Sequence, residues 1–354
     1  MTERTTLEII GDYPPVIRAN TGLWSFDRSI GNPFSAEWGV PLRSLIEIFG
    51  PPESGKTSLG YTIAAAAREQ GHILLASLEF TDKNYLENVM RHSGFHGTVE
   101  FLDFHDDKGK WLGHARLLTE AVNRLGREED IVALILDSVA AIVPPAREEG
   151  IIGEGFMADR AKFMKDMCSR VEAKLMNRET PATFIALNHV TQSLDPYNKG
   201  HVTPGGTGLK FHGVVRVYMF RKEVFPKPSD TDKSKLLKGF VAEGHVEKLR
   251  FGGRGRRFRV YIVPGVGVHK GMTALFDCIA NKLGERNQTG TISLQGTNVG
   301  RIGSFVEAAY TSKDEKFEPF IEVMRDYNPD LDSVDDDVDE PIPEEKPKRG
   351  RKKR

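Results

Sequence analysis

Residues 45–59, LIEIFGPPESGKTSL, constrain the fold more than any other stretch of the chain. A short apolar strand at 45–49 runs into Gly50 and then into Gly-x-x-x-x-Gly-Lys-Thr, and an amphipathic segment at 58–68 follows with helical spacing. Strand, glycine-bearing loop and helix in that order form the setting of a phosphate-binding P-loop. Gly50 and Gly55 let the backbone curl so that its N–H groups point inward, and the helix start adds unpaired donors and partial positive charge. Lys56 can then reach the β- and γ-phosphates, and the Thr57 hydroxyl can ligate Mg²⁺. Residues Gly50, Pro51, Pro52, Glu53, Ser54, Gly55, Lys56, Thr57 and Ser58 are therefore the candidate nucleotide-binding set.

The remaining pattern predicts an α/β fold with a doubly wound, mostly parallel sheet. Strands are expected at 71–79, 99–104, 131–137 and 182–189, with helices between them at 85–93, 111–125 and 156–176. Stretch 131–137 is apolar almost throughout, as a parallel strand covered on both faces should be. In such sheets ligands sit at the C-terminal strand ends. Strands at 214–221, 240–251 and 257–263 lack intervening helices and are expected to extend the sheet antiparallel. The domains expected are an arm at 1–20, an ATPase core at 21–267, a small C-terminal α/β lobe at 268–328 and a disordered tail at 329–354.

Composition narrows the function classes. With 354 residues and a formal net charge of −1, the molecule as a whole does not attract nucleic acid, so a polyanion site must be a local patch. Two cysteines, Cys168 and Cys278, are too few for a disulfide scaffold or a cysteine zinc site. No apolar run approaches a membrane span, and residues 1–10 lack the order of a signal peptide, so a cytoplasmic setting is expected. Residues 330–345 are dominated by carboxylates and 346–354 by Lys and Arg. They read either as a solubilising tail or as an acidic decoy beside a DNA-scanning end.

Several strand ends carry chemistry. Asp137 closes an apolar strand and precedes Ser138, where a carboxylate can hold Mg²⁺ through a water. Glu79 ends the strand expected beside the P-loop strand, where it could polarise a water attacking the γ-phosphate. Asn188 and His189 end another strand; they are either a γ-phosphate sensor or an ordinary strand end satisfied by backbone. Two long loops follow strand ends. Segment 144–157 leads to a helix with Arg160, Lys162 and Lys165, and segment 191–208 contains Lys199, Gly205 and Gly206 before Lys210. Backbone donors and lysines suit a phosphodiester backbone, although both could be plain surface loops. Stretch 248–259 is densely basic and reads as a solvated hairpin, a DNA track, or a source of cations for a neighbouring subunit's ATP.

Together these stretches resemble the RecA/UvsX family of DNA strand-exchange recombinases, over about residues 21–327. Residues 50–57, GPPESGKT, are similar to the family's GPESSGKT, and 136–141, LDSVAA, to its Walker B segment. Residues 205–211, GGTGLKF, resemble the GGNALKF signature that closes the family's second DNA-binding loop. The resemblance implies that Glu79 is the catalytic glutamate, that Asp82 and Tyr85 hold adenine, and that the two long loops bind DNA. Asp82 and Tyr85 stand one residue closer to the glutamate than in bacterial RecA. It also implies that Lys248 and Arg250 reach across a filament interface to the neighbour's γ-phosphate. His189 replaces the sensor glutamine of bacterial RecA, the arm is short, and the tail ends basic; these departures look more like the phage branch.

The function implied is ATP- and Mg²⁺-dependent filament formation on single-stranded DNA, with pairing to homologous duplex DNA and DNA-stimulated ATP hydrolysis. Single-strand-binding protein and a loader are candidate partners, and no membrane is involved. The alternatives are a RecA-like hexameric helicase motor and a non-exchanging mediator paralogue. The glycine-lysine-phenylalanine signature and the small lobe argue against the first, and Glu79, Asp137 and the paired cations against the second.

Overall fold

The computed structural model describes residues 16–32, 37–105, 108–144, 156–192, 201–226, 236–250 and 255–328. Lys199, residues 145–155 of the first long loop, residues 193–200 of the second, residues 1–15 of the N-terminal arm and the charged tail from 329 lie outside the described residues. Strand β1 (Arg18–Ala19) pairs antiparallel with β2 (Val40–Pro41), bracketing helix α1 (Trp24–Ser29). Strands and helices then alternate: β3 (Leu45–Gly50), α2 (Lys56–Ala67), β4 (His72–Ser77), α3 (Lys83–His92), β5 (Thr98–Phe101), α4 (His114–Leu125), β6 (Ile131–Asp137), α5 (Phe156–Met176) and β7 (Thr183–His189). A two-residue ladder of β8 (Thr191–Gln192) with β9 (His201–Val202) precedes the short helix α6 (Gly208–His212). Four more strands complete the main sheet: β10 (Val215–Phe225), β11 (Gly239–Leu249), β12 (Arg257–Val263) and β13 (Gly267–Val268).

The nine-stranded sheet has the order β13-β12-β11-β10-β3-β7-β6-β4-β5. Strands β5 to β10 along that order are parallel, and β11, β12 and β13 are antiparallel. Two sequence expectations are corrected here. Strand β10 pairs parallel with β3, with Val215 opposite Ile46, rather than extending the sheet antiparallel. The segment after β7 carries the chain back to the start of β3 (Val214 donates to the Leu45 carbonyl), so β10 re-enters in the parallel sense. Nor does β4 adjoin the P-loop strand: β7 and β6 lie between them. Glu79 reaches the site from a loop two residues beyond β4, not from a neighbouring strand.

Apolar faces explain the layering. Ile46, Ile48, Ile73, Leu75 and Ile135 point to a core shared with α1, α2 and α3, while Leu45, Leu74, Leu134 and Leu136 point to a second core under α4 and α5. Alternation along each strand therefore feeds both faces, and both are covered. Helix α2 departs from the amphipathic expectation. Leu59, Tyr61, Ile63, Ala64 and Ala65 are all buried, because α2 is enclosed by the sheet, α3 and the β13 edge.

The C-terminal elements are α7 (Lys270–Ala280), an antiparallel sheet of β14 (Gly284–Arg286), β15 (Thr291–Leu294) and β16 (Thr297–Arg301), and helices α8 (Ile302–Tyr310) and α9 (Glu318–Asp326). Their core includes Met272, Leu275, Phe305 and Phe320 and continues into Val241 and Tyr261 of the main sheet. The α1 segment clasps this region from the other end of the chain: Trp24 Nε1 donates to the Tyr327 carbonyl (3.3 Å) and Arg28 to Asn328 Oδ1 (2.7 Å). Asp277 of α7 is buried and accepts from the Ser25 backbone N–H at 3.2 Å. Burial raises its pKa to about 7, against the opposing hydrogen bonds from Ser25.

A carboxyl group raised in the folded state favours folding below its unfolded pKa and loses that contribution as pH climbs through about 7. Asp277→Asn should therefore match the parent in stability near pH 4 and exceed it at pH 8, by on the order of 3 kcal/mol. Urea denaturation at the two pH values checks this; parallel pH profiles would contradict it.

Candidate nucleotide and nucleic-acid site

The P-loop leaves β3 at Gly50 and enters α2 at Lys56. Gly55 caps α2 at φ +90°, and a Cβ there would sit 2.0 Å from Ile262 Cδ1, so only glycine allows both the turn and the close approach of β12. Lys56 is buried, and its ammonium donates to the Pro51 carbonyl at 2.7 Å. Burial lowers its pKa to about 8, while the charges of Asp137 and Glu79 act the other way. Ser54 is also buried, and among the described residues its hydroxyl has no hydrogen-bond partner. Arg221 holds the loop from outside, donating to the Glu53 carbonyl (3.2 Å) and carboxylate (2.8 Å) while stacking 4.6 Å over the Phe240 ring. A desolvated ammonium, an orphaned hydroxyl and the start of α2 converge here, and such a donor set fits a polyphosphate.

The strand ends supply the acidic side. Thr57 Oγ1 donates to Asp137 Oδ2 at 3.3 Å, bringing the two candidate cation-holding groups together. Asp137 is raised to about 6, by burial first and by Glu79 second. Among the described residues no group of three or more His, Cys, Asp or Glu converges on a metal position. A cation held by the Thr57 hydroxyl and the Asp137 carboxylate would have room for nucleotide oxygens and water as further ligands. Glu79 Oε1 accepts hydrogen bonds from the Ser138 hydroxyl and from His189 Nε2 (2.9 Å). Partial desolvation opposes its ionisation, but those two hydrogen bonds, with His189 and Lys56 nearby, leave its pKa lowered. Glu79 is therefore an acceptor at neutral pH, suited to orienting a water rather than donating a proton.

The other candidates are placed unevenly. Asp82 caps α3, accepting from the Tyr85 N–H at 2.8 Å, and the Tyr85 hydroxyl lies 3.4 Å from Ser58 Oγ, so this pair stands beside the P-loop helix. Arg160 is partly buried and donates to the Ile142 carbonyl at 3.1 Å, tying α5 to the segment after Asp137. Lys162 and Lys210 are exposed. Gly206 adopts φ +70° and a Cβ on it would come within 2.5 Å of Ala161 Cβ, so the glycine-rich loop presses its backbone onto α5. Gly205 lies against Val139 and Met164. Lys248 donates to the carbonyls of Lys210 (2.7 Å) and Phe211 (3.0 Å), and Arg250 to that of Phe211 (3.2 Å) and to Glu172 (3.2 Å). Within one chain, then, the paired cations cap α6 and do not approach the chain's own P-loop.

Residues 16–242 match the family model described as the RecA N-terminal domain. The chain belongs to the RecA family. It is 27% identical to the RecA protein of Nautilia profundicola over 237 residues, covering 65% of this chain and 63% of that protein. It is 32% identical to RecA of Thermus thermophilus over 181 residues, 51% of this chain and 50% of that protein. It is 27% identical to RecA of Ectopseudomonas oleovorans over 269 residues, 74% and 71% of the two chains. The matched region thus spans between half and two thirds of the length of the first two relatives. Among the described residues no helix is long and apolar enough to cross a membrane.

Sequence reasoning missed Ser138 as a partner of Glu79, Arg221 as the brace of the P-loop, and the buried pair Glu47 and Arg216. For Glu47 a signal existed, since it is the one charged residue in the otherwise apolar β3, whereas the strand of Arg216 also carries Arg221, Lys222 and Glu223.

Lys56→Ala should abolish ATP turnover; unchanged hydrolysis would remove the P-loop assignment. Because Lys56 loses its proton near pH 8, affinity for a fluorescent ATP analogue should weaken about tenfold from pH 7 to pH 9, whereas Lys56→Arg should bind evenly across that range.

Proposed function

We propose that this RecA-family chain is an ATP-dependent recombinase that assembles on single-stranded DNA and exchanges strands with a homologous duplex. The observation that supports this best is the meeting of three parts at one sheet edge. The P-loop, the Glu79–His189 pair and the base of the glycine-rich loop all lie at the C-terminal ends of β3, β4 and β7. Magnesium-bound ATP, when present, would supply the γ-phosphoryl group and neutralise its charge. Lys56, Ser54 and Thr57 would hold the phosphates, Thr57 and Asp137 the cation, and Asp82 with Tyr85 the adenine. Glu79 would orient the attacking water, held by Ser138 and His189 in the acceptor state.

DNA contact falls to Arg160, Lys162, Lys199, Gly205, Gly206 and Lys210, by backbone donors and cations that read no sequence. Specificity then comes from base pairing. In a helical filament of copies, Lys248 and Arg250 would exchange their α6 carbonyl partners for a neighbour's nucleotide, which would link subunit contact to loop position. His189 at the sensor position favours a phage-type recombinase, acting in the cytoplasm of a host cell. A single-strand-binding protein and a loader fit as partners.

ATP hydrolysis measured with and without single-stranded DNA, at low and high salt, tests this reading. Strong stimulation that fades with salt is expected, because phosphate contacts release counterions. Lys210→Ala should lose most of the stimulation and keep nucleotide binding. A rate indifferent to DNA would overturn the reading. Unwinding by ring-shaped particles would favour a helicase motor, and tight DNA binding without turnover a mediator.

A further inference from the structure

Three buried polar side chains join the P-loop strand to the base of the glycine-rich loop without facing the nucleotide. Glu47 of β3 and Asn188 of β7 are wholly buried, and Arg216 of β10 is 7% exposed. Glu47 and Arg216 stand opposite each other in the parallel ladder, with Arg216 Nε donating to Glu47 Oε2 at 2.5 Å. The guanidinium also stacks 4.7 Å over the Phe49 ring and lies 3.8 Å from the Glu247 carboxylate.

Asn188 connects this pair to both halves of the site. Its Nδ2 donates to Glu47 Oε1 (2.9 Å) and to the Pro204 carbonyl (2.9 Å), which uses both amide hydrogens. Its Oδ1 accepts the His189 backbone N–H at 3.0 Å. One amide orientation satisfies all three contacts; a flip would set Oδ1 against a carboxylate and a carbonyl. On one side of Asn188, then, stands His189, whose ring donates to Glu79. On the other stands Pro204, immediately before Gly205 and Gly206. If the loop base shifts, the Pro204 acceptor leaves Asn188, and the amide cannot follow without releasing Glu47 or the His189 N–H. A buried ion pair gives little net stability over an apolar pair of similar size, so stability alone does not account for one in the middle of a sheet.

We infer that Glu47, Asn188 and Arg216 form a positioning network that couples the base of the glycine-rich loop to the His189–Glu79 pair. Glu47 and Arg216 are the fixed pivot, and Asn188 is the moving link. The inference rests on the reading of the chain as a DNA-stimulated ATPase and specifies how the stimulus arrives.

Two double variants isolate the link. In Glu47→Met with Arg216→Met, both charges are replaced by apolar groups of similar size, and Asn188 loses its acceptor on β3. In Glu47→Gln with Arg216→Met, both charges are also removed, but an amide oxygen remains for Asn188. Nucleotide affinity and the DNA-free hydrolysis rate should stay within about twofold of the parent in both, since neither position touches the nucleotide site. DNA stimulation of kcat should fall about tenfold or more in the first and remain within about threefold in the second. Equal stimulation in the two variants would overturn the inference while leaving the ATPase reading intact. A parent chain with no DNA stimulation would instead overturn that reading, and this coupling with it. Should the first variant fail to fold, amide hydrogen exchange in the parent decides: DNA added to the nucleotide-bound chain should change exchange in the peptide ending at His189, and an unchanged rate overturns the coupling.

Discussion

The desolvated ammonium of Lys56 is the interaction on which the rest of this arrangement depends. It is buried against the Pro51 carbonyl with two carboxylates near by, and none of the three groups sits at its ordinary pKa. Taking a cation and an acid out of water is expensive unless something else completes the charge balance. In the free protein the cost shows as an easily lost lysine proton and an easily gained Asp137 proton. An anionic phosphate with its cation would relieve both, which makes the nucleotide part of the electrostatic design of the sheet edge.

The sheet order decides what that edge can gather. With β7 inserted between β3 and β6, the Asn188–His189 pair stands directly beside the P-loop strand and Asp137 one strand further out. Glu79 arrives from beyond β4, the next strand after β6, and its position is set by what it accepts from: Ser138 and His189. The catalytic candidates are therefore held by one another and by strand ends, which move less than loops do. The loops that carry the DNA candidates are anchored at their bases by Gly206 against α5 and by the caps that Lys248 and Arg250 place on α6.

Buried polar contacts do two kinds of work in this molecule. Arg178, whose guanidinium lies among the carbonyls of Leu125, Glu128 and Ile131, satisfies chain ends between α4, β6 and α5 and belongs to stability. Glu47, Asn188 and Arg216 instead connect segments that differ in purpose. Both kinds pair charged or amide groups inside low-dielectric surroundings, where such pairing matters most; the second spans from a nucleotide strand to a loop base.

Much of this was legible along the chain, because it is local. The P-loop needs consecutive residues, buried parallel strands announce themselves as apolar runs, and helices by their spacing; all the alternating elements from β3 to β7 follow from such short-range patterns. Asp137 was legible for the same reason, as an acid ending an apolar strand. Strand order was not: β4 was expected beside β3, and β10 antiparallel, because pairing is set by how crossovers pack over the whole sheet, and hydrophobic period carries no record of neighbours. The enclosure of α2 on all sides, the Ser138–Glu79–His189 contact and the Glu47–Arg216 pair, 169 positions apart, likewise exist only once distant strands stand side by side. Sequence by itself determined which residues could do chemistry; tertiary structure decided which of them meet, because a side chain's partners are chosen by the sheet that brings them within 3 Å and not by their spacing along the chain.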